Sequence, residues 1–186
     1  MPREADANRN AQSEEGLALA EVKTCNIVPG LEHLAFPVEK LTPLPGNPRR
    51  GDVAAVARSY ATFGQRKPIV ARHEGDGGIV IAGNHQLAAT QKLAWTHIAV
   101  VWVDDDDITA KAFALADNRS ADLGTYDDEN LLAMLRSVHN ADMELFEATA
   151  YDDEALAALV ASLEPDLTTP ARRVALPASF PLSTRR

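Results

Sequence analysis

The sequence predicts an α+β domain, a small mixed sheet packed by helices, with further helices following it. Three observations carry that expectation. Between about residues 53 and 103, β-rich runs alternate with helical periods; a Gly/Asp turn joins two of those runs; and from residue 104 onward only acid-led helical stretches follow. The 186 residues give room for one body with a core, plus arms, and a composition of 46% hydrophobic and 5% aromatic residues suits a water-soluble domain. No apolar run reaches the roughly 20 residues of a membrane helix, and the opening "MPREADANRN" has no apolar signal segment, so a cytoplasmic protein with no membrane partner is expected. Cys25, the single cysteine, cannot form an internal disulfide.

Residues 1–31 are polar and without sustained periodicity, which predicts a mobile N-terminal arm. The core is expected to begin at "LAFPVEKLTPLP", where Phe36, Val38 and Leu41 fit an extended segment and Pro43, Pro45 and Pro48 stiffen the loop "TPLPGNPRR". Asp52 is placed to cap a helix over "VAAVARSYATF", with Gly64 just past its end. "PIVARHE", "GDGG" and "GIVIAG" read as a hairpin, then "GNHQLAAT" opens a helix to about Trp95 and "HIAVVWVD" a further strand.

After the run Asp104–Asp107 a helix is expected over Ile108–Ala116, the acids serving as a capped, solvated helix start or, less simply, as metal ligands. "YDDENLLAMLRSVH" and "YDDEALAALVASLE" repeat one capping solution ahead of apolar faces. Past Pro165 the arginine- and proline-bearing tail predicts disorder. The expected organisation is thus an arm (1–31), a domain (32–140), a helical extension (141–164) and a tail (165–186). Charge is unevenly placed: Glu32–Val103 carries eight Lys/Arg against five Asp/Glu, and Asp104–Glu164 three against sixteen. The net charge of −9 argues against a protein that coats nucleic acid by bulk electrostatics.

The stretch Gly83–Thr90 is where a strand hands over to a helix. Gly83 could serve only the chain reversal, with Asn84 as helix cap; equally, the unpaired N–H groups of the first turn suit an anion such as phosphate. Three more short stretches fall at expected loops or element ends: "NPRR" (47–50), "GQRKPIV" (64–70) and "ADNRSADL" (116–123).

In order and spacing these four stretches resemble the ParB-like N-terminal domain of the ParB/sulfiredoxin superfamily, over about Phe36–His139, and in particular the type found in phage proteins and fused to DNA methyltransferases. The resemblance implies that Gly83, Asn84, His85 and Gln86 bind the phosphates of a nucleotide, CTP or ATP. It further implies that Asp117 and Asn118 hold Mg²⁺ against those phosphates, a carboxylate and an amide oxygen being hard ligands. Asn47, Arg49 and Arg50 are expected to reach phosphate, or Asn47 and Pro48 merely to shape a turn. Gln65 and Lys67 line the nucleoside side by similarity, or form an ordinary solvated helix exit. Arg119 is either a nucleotide contact or a surface charge. Where the family has arginine or a basic pair, this chain has the neutral Gln86, so charge would come from Arg49, Arg50 or His85.

Three functions follow. The first is a nucleotide-binding regulatory or DNA-associated module, touching DNA through a partner protein and forming a homodimer; with one clear helix and no basic recognition helix after His139, a complete partition ParB is not expected. The second is a metal-dependent nuclease, for which Asp117, Asp122 and the run 104–107 are the available acids, or a nucleotide-dependent phosphotransferase with His85 or Asp117 as the base. The third is an interaction module that keeps the fold and has lost the nucleotide. Sulfiredoxin chemistry needs a cysteine where Asn84 or His85 stands, and an amide cannot supply a thiolate.

Overall fold

A computed structural model describes residues 25–163; most of the expected arm and the expected tail lie outside the described residues. Five strands, β1 (Ala35–Pro37), β2 (Leu41–Pro43), β3 (Ile69–Glu74), β4 (Gly77–Ala82) and β5 (His97–Val103), form one sheet in the order β1-β5-β3-β4-β2. It is mixed, as expected: β1/β5 and β3/β4 are antiparallel, β5/β3 and β4/β2 parallel. The helices are α1 (Val53–Phe63), α2 (Asn84–Lys92), α3 (Asp107–Asp122), α4 (Asp128–Ala141), α5 (Met143–Ala148) and α6 (Asp153–Leu163). The core gathers Val38, Leu41, Ile69, Ala71, Val80, Leu87, Ile98 and Val100, with Phe36 and Trp102 packed against it. Ile69, Val80, Ile98 and Val100 come from the three central strands, whose β-branched residues favour a pleated, buried surface.

Helix α1 spans the expected residues, with Asp52 accepting from the N–H groups of Ala54 (2.8 Å) and Ala55 (3.0 Å) and Gly64 following at φ +70°. The same device recurs. Asp106 accepts from Thr109 N–H (2.7 Å), Asp127 from Asn130, Asp142 from Leu145 and Asp152 from Ala155. Asp107 meanwhile pairs with Arg72 at 2.6 Å. Backbone N–H groups, Ala55 first for Asp52 and Thr109 first for Asp106, hold those two carboxyls below the ordinary aspartate value.

Three expectations are corrected. The body begins before residue 32, because Ile27 bridges Gln65 and is buried, while Asn26 O accepts from Gln65 N–H at 2.7 Å. The helix expected to end at Ala116 is longer: α3 continues to Asp122, so "ADNRSADL" forms its end, since nothing before Gly124 breaks an alanine-rich run. The short helix α5 was not anticipated; it buries Phe146 against His139 of α4 with ring centroids 4.9 Å apart, so the extension packs onto the body.

Candidate functional site

Gly83 is the N-cap of α2, at φ +102°, and Asn84 is the first helical residue. A left-handed backbone here suits glycine, and a Cβ would run into Ile69 at the start of β3. Asn84 therefore does not cap. Its Oδ1 accepts from Leu44 N–H (2.9 Å), and the neighbouring His85 accepts through Nε2 from Gly51 N–H (2.8 Å). These two side chains staple both ends of the proline-stiffened loop to the helix start. A third tie comes from within the loop, where Arg49 donates to Asp122 Oδ1 at 2.7 Å and to Asn118 O at 3.5 Å; Asn47 Oδ1 accepts from Arg49 N–H at 3.1 Å.

The consequence is an open helix end. Among the described residues, every other α-helix has an aspartate accepting from its first-turn N–H groups, whereas α2 has glycine and no side-chain cap. That end opens into a cleft of two adjoining lobes. The polar lobe, of about 420 Å³, is lined by Asn47, Arg49, Gly83, Asn84, His85 and Gln86 facing Asp117, Asn118 and Ser120 of α3. The less polar lobe, of about 480 Å³, has Tyr60, Phe63, Ile69, Val70 and Phe113 as walls. Lys67, Ala82, Gly83, Gln86 and Asp117 line both and mark the waist. Both volumes fall within the range of about 300–1,000 Å³ typical of small-molecule sites.

Of the residues singled out by sequence, Asn47, Arg49, Gly83, Asn84, His85, Gln86, Asp117 and Asn118 come together around this cleft. Arg50 and Arg119 line neither lobe. Gln65 is corrected outright: it is fully buried, and its amide is consumed by Lys67 O (3.0 Å), Ala99 O (3.0 Å) and Ala99 N–H (2.6 Å). It builds the scaffold and contacts no cleft. His85 likewise has its Nε2 lone pair occupied by Gly51, which leaves that nitrogen no capacity to take a proton from a substrate while the bond holds.

Sequence reading missed the aromatic wall, and it offered Asp122 only as an acid for a metal nuclease, whereas Asp122 pairs with Arg49. A signal for Phe113 existed, since Phe113 and Asp117 are spaced i, i+4 on one helix and must share a face. Tyr60 stacks on Trp95 (centroids 5.4 Å, 15° between planes), and burial pushes its phenol up to about 12. The phenol is thus neutral, and its raised value makes a stability prediction. A group whose folded pKa is raised contributes stability that is complete below the unfolded value, near 10, and lost as pH rises through the folded one. In urea unfolding, the wild type is expected to lose stability between about pH 10 and 12 that Tyr60→Phe does not lose; identical profiles would show that the phenol is solvated.

Residues 32–119 match the ParB N-terminal domain family. That stretch, just under half of the chain, is similar to the ParB N-terminal domain. The match begins at the expected domain start and ends at Arg119, inside α3. Over 120 residues the chain is 29% identical to a nucleoid occlusion protein of Bacillus velezensis, a stretch that is 61% of this chain and 42% of that relative; the chain thus spans under half of the curated relative's length. Among solved structures, the fold is similar to the C-terminally truncated chromosome-partitioning protein ParB from Caulobacter crescentus, complexed with CTP-γ-S. That likeness has a TM-score of 0.54 and 18% identity, over 69% of this chain and 84% of that one. Sulfiredoxin from Arabidopsis thaliana is a more distant likeness, with a TM-score of 0.37 and 23% identity, over 44% of this chain and 93% of that one. The matches reach the ParB N-terminal domain without selecting the phage or methyltransferase-associated type within it.

Proposed function

We propose that this ParB-like domain is a nucleotide-binding module of a DNA-associated system, taking CTP with Mg²⁺ in the two-lobed cleft. The observation that carries the reading is the uncapped N-terminus of α2, whose free N–H groups and positive dipole end face a polar lobe beside an aromatic one. Phosphates would sit on Gly83–Gln86 and the nucleoside against Tyr60, Phe63 and Phe113. The donor set fits a shared cation: one carboxylate (Asp117) and one amide (Asn118) are too few for an all-protein cage and suit Mg²⁺ completed by phosphate and water. Such an ion would screen the phosphate charge. CTP is preferred over ATP because the similar Caulobacter ParB was solved with a CTP analogue. DNA contact would run through a partner protein or further chain, with dimerisation coupled to the ligand.

Binding, not turnover, is the proposal. The cleft's imidazole accepts from Gly51, and among the described residues no group of three or more His, Cys, Asp or Glu side chains could hold a metal ion of the kind a nuclease assembles. The test is thermal unfolding with CTP, ATP, GTP and ADP, each with and without Mg²⁺. A ligand in hundredfold excess over its Kd should add about 2.7 kcal/mol of stability. We expect a CTP-selective, Mg²⁺-dependent rise in the wild type and loss of the Mg²⁺ dependence in Asp117→Ala. No rise with any nucleotide would replace this reading with that of an interaction module.

A further inference from the structure

The charge ledger of the cleft singles out one side chain. A triphosphate brings several negative charges, whereas the N-terminus of α2 supplies only about half a positive charge and Gln86 supplies none. Of the cations lining the lobes, Arg49 is neutralised by Asp122 at 2.7 Å. Arg66 donates from Nε to Phe63 O at 3.1 Å and lies over the Phe63 ring, 5.3 Å from its centroid. Lys67 differs. It lines both lobes, and among the described residues no hydrogen bond or ion pair engages its ammonium. Asp117 lines the same waist, yet no Lys67–Asp117 pair forms within 4 Å.

The backbone beneath Lys67 is fixed. Its carbonyl accepts from the buried Gln65 amide at 3.0 Å, and the next residue is Pro68, whose ring restricts rotation before β3 begins at Ile69. A flexible ammonium stem thus rises from a rigid base where the two lobes meet, the geometry that suits a mobile point charge following a phosphate chain.

We infer that Lys67 is the specificity residue for the length of the phosphate chain, the formal charge that makes the cleft prefer a nucleoside triphosphate to a monophosphate. The inference rests on the nucleotide reading above. A hydrogen bond to a charged group is worth enough to change affinity about 10- to 100-fold. Because among the described residues no hydrogen bond or ion pair engages the Lys67 ammonium, Lys67→Gln should fold with wild-type urea stability.

The experiment is calorimetric titration of the full chain, as wild type, Lys67→Gln and Lys67→Arg, with CTP, CMP and inorganic tripolyphosphate in the presence of Mg²⁺. Expected in Lys67→Gln is a loss of CTP and tripolyphosphate affinity of about 10-fold or more, with CMP affinity unchanged; Lys67→Arg should keep most of the CTP preference. Equal CTP binding in wild type and Lys67→Gln overturns the role of Lys67 and leaves the nucleotide reading standing. Equal losses for CTP and CMP overturn it as well, by moving Lys67 to the nucleoside. A wild type that binds CTP, CMP and tripolyphosphate not at all overturns both.

Discussion

Gln65→Ala is expected to destabilise the fold by about 3–5 kcal/mol, from two or three buried polar groups left unpaired at roughly 1–3 kcal/mol each. Ala99 on β5 is fully buried, and both its N–H and its C=O are satisfied by the Gln65 amide, at 2.6 and 3.0 Å. The ladder between β3 and β5 starts with Ile69 beside Val100, and Pro68 has no N–H to extend it. Gln65 therefore works as one more rung, made by a side chain. Removing it also frees Lys67 O, and so loosens the base of the lysine at the waist of the cleft. Gln65→Glu should be at least as damaging, because a carboxylate cannot donate to the two carbonyls and would be buried beside them. Urea unfolding measures both. A loss under about 1 kcal/mol in Gln65→Ala would mean that water enters and takes over the bonds.

That residue also marks where the sequence stops being legible. Helix α1 could be read to the residue, since Asp52 and Gly64 bracket an apolar period and each acts locally. The hairpin of β3 and β4 and the mixed α+β class were legible for the same reason: turn chemistry and side-chain period are properties of neighbours. Gln65, Asn84 and His85 are different. Each makes its decisive bond to a residue 34 or 40 positions away, and no window of sequence distinguishes an amide that caps a helix from one that staples a loop. Nor did the charge of Arg49 and Arg50 reveal that Asp122 claims the first and the second stays outside the cleft. What sequence order did convey was the set of loops and element ends that the fold would gather. The division of labour within that set, scaffold for Gln65, loop staples for Asn84 and His85, free charge for Lys67, became visible only once the hydrogen bonds could be assigned.

The same division decides how Gly83→Val will behave. For the phosphate reading alone, a side chain at Gly83 would block the close approach of a phosphate to the backbone. The geometry gives it a larger effect: Gly83 sits at φ +102°, and any Cβ there meets Cβ of Ile69 at 2.8 Å and its Cγ2 closer still. Ile69 is a buried member of the core. A left-handed backbone costs a residue with a side chain about 1–2 kcal/mol, and forcing atoms into a packed core costs about 1–3 more. For Val the sum is expected to reach several kcal/mol, a large part of the roughly 5–15 kcal/mol that holds an ordinary domain together. Gly83→Ala carries the same Cβ and should already show most of that loss; valine adds the rotamer conflict of a β-branched residue. If Gly83→Ala unfolds in urea at the wild-type midpoint, Ile69 gives way freely and the argument fails. If it unfolds early, loss of nucleotide binding in either Gly83 variant reports a disturbed strand-to-helix joint, and the chemistry of the cleft has to be tested at Lys67 and Asp117, whose side chains hold no part of the core.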